Sequence, residues 1–102
     1  MKKTANKNCR ELVENREEFD GNNLFARKIG RLYVVYSYGY HYPMFLFRKG
    51  WWYENTSGYS RSTGRHHSEA RPLYSRNISR TLTTEDLQNI IRREKYRGDS
   101  HE

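Results

Sequence analysis

The pattern of hydrophobic and polar positions is clearest from Leu32 to Tyr38, where Leu-Tyr-Val-Val-Tyr-Ser-Tyr, rich in Val and Tyr that favour a pleated surface, predicts a β-strand. Leu32, Val34, Tyr36 and Tyr38 fall on one face of such a strand, and Tyr33, Val35 and Ser37 on the other. Both faces are apolar, so the strand belongs in the centre of a sheet. Gly39-Tyr40-His41 turns the chain, and Tyr42 to Arg48 returns with Pro43 near its start, where a missing N–H is tolerated. Lys49-Gly50 reads as a two-residue hairpin turn, after which Trp51 to Glu54 runs back. These three segments predict an antiparallel meander.

Upstream, Asp20-Gly21-Asn22-Asn23 is a turn signal, because such residues tolerate positive φ. Leu24-Phe25-Ala26 starts a strand, and Ile29-Gly30-Arg31 leads into the next. Residues 11–20 fit either a short helix or a strand. Downstream, Thr83 with Asp86 forms a helix-capping pair, and Leu82 can staple onto Leu87. Leu87, Ile90 and Ile91 then share one helical face, predicting an amphipathic helix over 83–95. The expected fold is α+β: a small antiparallel sheet with one C-terminal helix packed on it. The expected layout is a flexible basic arm at 1–10, one domain at 11–96 and a disordered tail at 97–102.

Composition adjusts this picture. The chain has 102 residues, enough for one domain, with 34% hydrophobic and 15% aromatic residues. So high an aromatic share argues against a disordered chain. The longest strongly apolar stretch, Pro43 to Phe47, is far short of a membrane span, and no apolar segment follows Lys2-Lys3 to make a secretory signal. Cys9 is the single cysteine, which fits a reducing cytoplasm and leaves no thiolate set for a zinc site.

The net charge is +7, and it is uneven: residues 59–82 carry five arginines against the single acid Glu69. The run from Tyr59 to Pro72 is dense in hydroxyls, guanidiniums and imidazoles and reads as a polar loop. Arginine forks match phosphate oxygens, and Ser and Gly backbone groups suit the same ligand. Arg61, Arg65, Arg71, Arg76 and Arg80 are therefore the candidate phosphate contacts, with His66 and Ser68 orienting them.

Two other chemistries use the same residues. His66, His67 and Glu69, with His41, could be metal ligands, but adjacent histidines on a strand face opposite ways and no metal spacing motif is present. His66 as general base, with Arg65 or Arg71 as phosphate clamp, describes a metal-independent nuclease. Cys9 is expected as a free thiol in a polar arm. No metal, cofactor or catalytic residue is assigned. Five tyrosines lie between Tyr33 and Tyr42, more than one small core hides, so some are exposed for base stacking or for a protein interface.

Tyr33-Val34-Val35-Tyr36-Ser37-Tyr38-Gly39, then Trp52-Tyr53-Glu54-Asn55, then Tyr59-Ser60-x-Ser62-Thr63-x-Arg65-His66-x-Ser68-x-Ala70-Arg71-Pro72 resembles a group of small uncharacterised bacteriophage and mobile-element proteins. The resemblance covers residues 24 to 91. Ser62 stands where that pattern tends to have Thr, and Glu69 where it tends to have Gln. The resemblance implies an origin and carries no activity with it. The expected function is a small basic accessory protein that binds DNA or RNA in the cytoplasm of a bacterial host. The alternative is a non-enzymatic modulator of a host or phage protein, steered by charge to an acidic partner.

Overall fold

The computed structural model describes residues 2–57, 61–71 and 78–99. Among these residues seven strands form one sheet in chain order: β1 (Lys2–Lys3), β2 (Phe19–Asp20), β3 (Leu24–Ile29), β4 (Leu32–Ser37), β5 (Pro43–Arg48), β6 (Trp51–Asn55) and β7 (Ile78–Leu82). Strands β2 to β6 pair antiparallel in sequence, while β1 joins β2 and β7 joins β6 in parallel. Among the described residues three α-helices accompany the sheet: α1 (Arg10–Glu14), α2 (Arg61–Ala70) and α3 (Thr84–Asp99). The fold is α+β, as the apolar pattern predicts, but helices cover both faces of the sheet.

Strand β4 explains why. All six of its residues are buried, so each face needs a cover. Leu32, Val34 and Tyr36 pack with Leu46 against Leu87 and Ile91 of α3. Tyr33 and Val35 pack with Phe19, Phe45 and Trp52 against Cys9, Val13 and Ala70 on the other side. The capping pair of α3 is formed: Thr83 Oγ1 accepts the Asp86 N–H at 3.2 Å, and Asp86 Oδ2 accepts the Thr83 N–H at 3.4 Å. Leu87 and Ile91 are buried and Ile90 is half-buried. The Lys49-Gly50 hairpin holds both residues at positive φ, +52° and +84°, the backbone that a tight turn between twisted strands needs.

Four expectations are corrected. Residues 2–10 are built into the fold: Lys2 and Lys3 pair with Phe19 and Asp20, and Cys9 is completely buried. Residues 11–20 hold both a helix end and a strand. The segment read as a polar loop is helix from Arg61 to Ala70, followed by β7. Helix α3 runs on to Asp99, past the expected start of a tail at 97. The helix and the strand of the third correction share one cause. Strand β7 is parallel to β6, so the chain must cross over between them, and α2 is that crossover. Among the described residues no helix is long and apolar enough to cross a membrane.

Candidate functional site

Helix α2 has few good helix formers: Ser62, Thr63, Gly64 and Ser68 all rank below Ala. Its hold on the sheet comes from His66, His67 and Ala70, all buried. Imidazoles thus occupy positions where an apolar stripe would normally sit. On a helix, adjacent residues diverge by about 100°, so the two histidines have separate surroundings.

His67 sits in a closed network. Its Nδ1 lies 3.1 Å from Glu54 Oε2, and the Tyr42 hydroxyl lies 3.2 Å from its Nε2. Arg71 Nη1 reaches both oxygens of Glu54, at 2.7 and 2.8 Å. Burial pushes the His67 pKa below its usual value, with Glu54 opposing. The triad of Arg71, Glu54 and His67 fastens the end of α2 to β6.

His66 is open on one side. Its Nδ1 lies 2.7 Å from Ser37 Oγ, at the buried end of β4. Its Nε2 lies 3.4 Å from Asn6 Nδ2. The Asn6 amide orientation is fixed by Asn22, whose N–H is accepted by Oδ1 at 2.8 Å and whose carbonyl accepts from Nδ2 at 2.8 Å. Nδ2 is a donor, so Nε2 is the acceptor and the proton resides on Nδ1, donated to Ser37. Burial lowers the His66 pKa, with Glu69 opposing and His67 and Arg65 adding to the fall. The ring is therefore neutral at neutral pH, with a lone pair on the Nε2 edge.

That edge borders a polar cleft of about 320 Å³ lined by Asn6, Asn22, Asn23, Tyr38, Arg65, His66 and Glu69. Tyr38 leaves the β4 alternation: at φ +66° it turns to the α2 side, away from the face its spacing in a regular strand implies. Its N–H donates to the Asn23 carbonyl at 2.7 Å, and its ring centroid lies 5.2 Å from that of His66. Tyr38 remains 48% exposed, so one ring edge or face is available to a ligand. Asn23 also has positive φ, +61°, and such backbone costs of order 1–3 kcal/mol per residue unless its surroundings enforce it. Glu69 Oε1 is buried with no hydrogen-bond partner among the described residues. Arg65 is exposed and makes no ion pair among the described residues.

Of the residues singled out in the sequence, Arg65 and His66 meet in this cleft. Arg71 is on the same helix face of the sheet but is held by Glu54. Arg80 lies elsewhere, in a groove with Tyr53 and Arg93 beside α3. Arg61 and Ser68 belong to α2, and their side chains, like the whole of Arg76, lie outside the described residues. Cys9 is a buried core thiol 3.7 Å from the Glu69 carbonyl, its pKa pushed up to about 12 by burial and by Glu69. Among the described residues no three His, Cys, Asp or Glu side chains group as metal ligands.

Sequence reasoning missed Asn6, Asn22, Asn23, Ser37 and Tyr38 as parts of the site. They come from the N-terminal segment, the turn before β3 and the end of β4. No local pattern links them, although the Asp20–Asn23 turn signal marked the positive-φ wall. Compared with family models, curated proteins and solved structures, the chain matches none.

Proposed function

We propose that this chain is a small basic accessory protein of a phage or mobile element that binds single-stranded nucleic acid in the bacterial cytoplasm. The α2 cleft would receive one nucleotide. The observation that carries this reading is the grouping of a guanidinium with no ion pair among the described residues, an exposed tyrosine ring, three asparagine amides and a neutral imidazole around one cleft. Arg65 suits a phosphate, the Tyr38 ring suits a base face, and the amides suit base edges. The net charge of +7 adds a long-range attraction to polyanions. The bacterial setting rests on the resemblance of the 33–72 motifs, and the cytoplasm on the single buried thiol. Fluorescence anisotropy with labelled single-stranded DNA and RNA tests the reading: Arg65→Gln and Tyr38→Ala should each weaken binding, and an undiminished affinity in both variants overturns it.

A second reading, phosphodiester cleavage, is favoured by one observation, the placement of the His66 ring on the same cleft as Arg65, with its Nε2 assigned as an acceptor from the Asn6 amide at 3.4 Å. Such a nitrogen can take the proton of an attacking 2′-hydroxyl as the P–O5′ bond breaks, giving a 2′,3′-cyclic phosphate and a 5′-hydroxyl that takes its proton from water, while the guanidinium faces the phosphoryl oxygens. It requires RNA cleavage without added metal that is abolished in His66→Gln. Binding with no cleavage leaves the first reading alone.

A further inference from the structure

On the opposite face, three arginines from three elements line one groove. Arg48 ends β5, Arg80 is in β7 and Arg93 is on α3; Tyr53, Asp86 and Asn89 line the same groove, whose volume is about 380 Å³. None of the three arginines makes an ion pair among the described residues. A second cleft shares Arg48, Ile90 and Arg93 with the first and extends past Arg31 and Glu94, so the two make one track beside α3.

The acids of this track are already engaged. Glu94 accepts the Arg31 N–H at 2.7 Å and faces its guanidinium at 3.4 Å, and these contacts with the nearby Arg48 charge lower its pKa. Asp86 caps α3 through the Thr83 N–H. Three guanidiniums around a groove with one Asp give it an excess of positive charge that an entering anion would offset. Nothing in the folding of the sheet requires them there: the α3 core is supplied by Leu32, Val34, Tyr36, Leu46, Leu87 and Ile91.

We propose that this groove binds the phosphates of a nucleic-acid backbone, independently of the α2 cleft. The cations are all arginines, whose planar forks match phosphate oxygens two at a time. The track continues beyond a single pocket, which fits a chain of phosphates better than one small anion. Tyr53 and Asn89 add a ring and an amide to the wall, the companions a single strand uses.

The test uses the full chain and a labelled oligothymidylate, with affinity measured against salt. Arg80→Gln and Arg93→Gln should each make the log–log slope shallower by about 0.7, the value for one lost single-strand phosphate contact. Lys95→Gln is the control: Lys95 is exposed on the same helix and does not line the groove, so its slope should match the unchanged chain. Circular dichroism shows whether each variant is folded, and Arg93, exposed on the helix surface, is the variant that risks least. Slopes unchanged in both Arg80→Gln and Arg93→Gln overturn the proposal, whatever Arg65→Gln does. Loss at Arg80 and Arg93 with Arg65 and Tyr38 silent upholds the groove and removes the cleft reading instead. Inorganic pyrophosphate or polyglutamate that competes as well as the oligonucleotide, at equal charge, overturns the assignment to a nucleic-acid backbone.

Discussion

Ser37 Oγ and His66 Nδ1 meet at 2.7 Å, joining the end of β4 to the middle of α2 across 29 positions of sequence. The bond fixes the imidazole tautomer and leaves Nε2 as the acceptor beside the cleft. It also satisfies a polar N–H that the helix buries against the sheet. Ser37→Ala removes the acceptor and strands that proton, so the variant should lose about 1–3 kcal/mol in urea denaturation. A loss below a few tenths of that range would show that the ring does not depend on Ser37.

Both buried histidines should make the fold acid-sensitive. Burial lowers their pKa values in the folded chain. The unfolded chain therefore binds more protons at mildly acid pH, and stability falls as pH drops below the unfolded histidine value of about 6.5. Above that pH both states hold neutral rings and this contribution is level. Denaturation midpoints followed from pH 8 to pH 5 (approximate limits set by the same reference value) should decline on the acid side, and NMR titration of the imidazoles should give pKa values below the reference. Midpoints that rise on acidification contradict the account.

Cys9 should behave as a core residue. An aromatic disulfide reagent at mildly alkaline pH should leave it unmodified in the folded chain and react at once in denaturant, because the thiol is buried and its pKa is raised to about 12. Cys9→Ser puts a hydroxyl in that apolar site and should cost roughly 1–3 kcal/mol. Rapid modification of the native protein would place Cys9 outside the core.

Leu87→Ala should destabilise by about 2–5 kcal/mol, since Leu87 is fully buried between α3 and β4. Tyr96→Ala, on the same helix but 75% exposed, should change stability by less than about 0.5 kcal/mol. Equal effects in calorimetry would show that α3 does not pack through Leu87.

Arg71 should matter for stability more than for binding. Its guanidinium is half-exposed and held by Glu54, so Arg71→Gln should cost up to about 1 kcal/mol and leave the salt dependence of oligonucleotide binding unchanged. A shallower salt slope in this variant would return Arg71 to the phosphate contacts.

The central meander and α3 were legible because their signals are local. Val34 and Val35 with flanking tyrosines announce a strand, Lys49-Gly50 a hairpin, and Thr83 with Asp86 a helix start. Helix α2 was not legible, since hydropathy patterns register Leu and Ile, whereas this helix is anchored by His66 and His67. Strand β7 was hidden for a related reason: its parallel pairing with β6 depends on the crossover, not on its own residues. Cys9 looked solvated because its neighbours in sequence are polar, while its neighbours in space are Val13, Phe19 and Ala70. The arginine run suggested one charged face. The fold instead puts Arg65 at the α2 cleft and Arg80 beside α3, because the crossover separates them.

The α2 cleft as a nucleotide site is tested most directly by anisotropy of a labelled single strand titrated with the Arg65→Gln chain across a range of salt. The unchanged protein should bind with a log–log slope of about −0.7 per contacted phosphate. Arg65→Gln should flatten that slope by roughly one contact's worth, and Tyr38→Ala should weaken binding by about 1–3 kcal/mol at constant slope, as expected for a lost stacking ring. Affinity and slope equal to those of the unchanged protein in both variants, or no binding by the unchanged protein at physiological salt, would contradict the account.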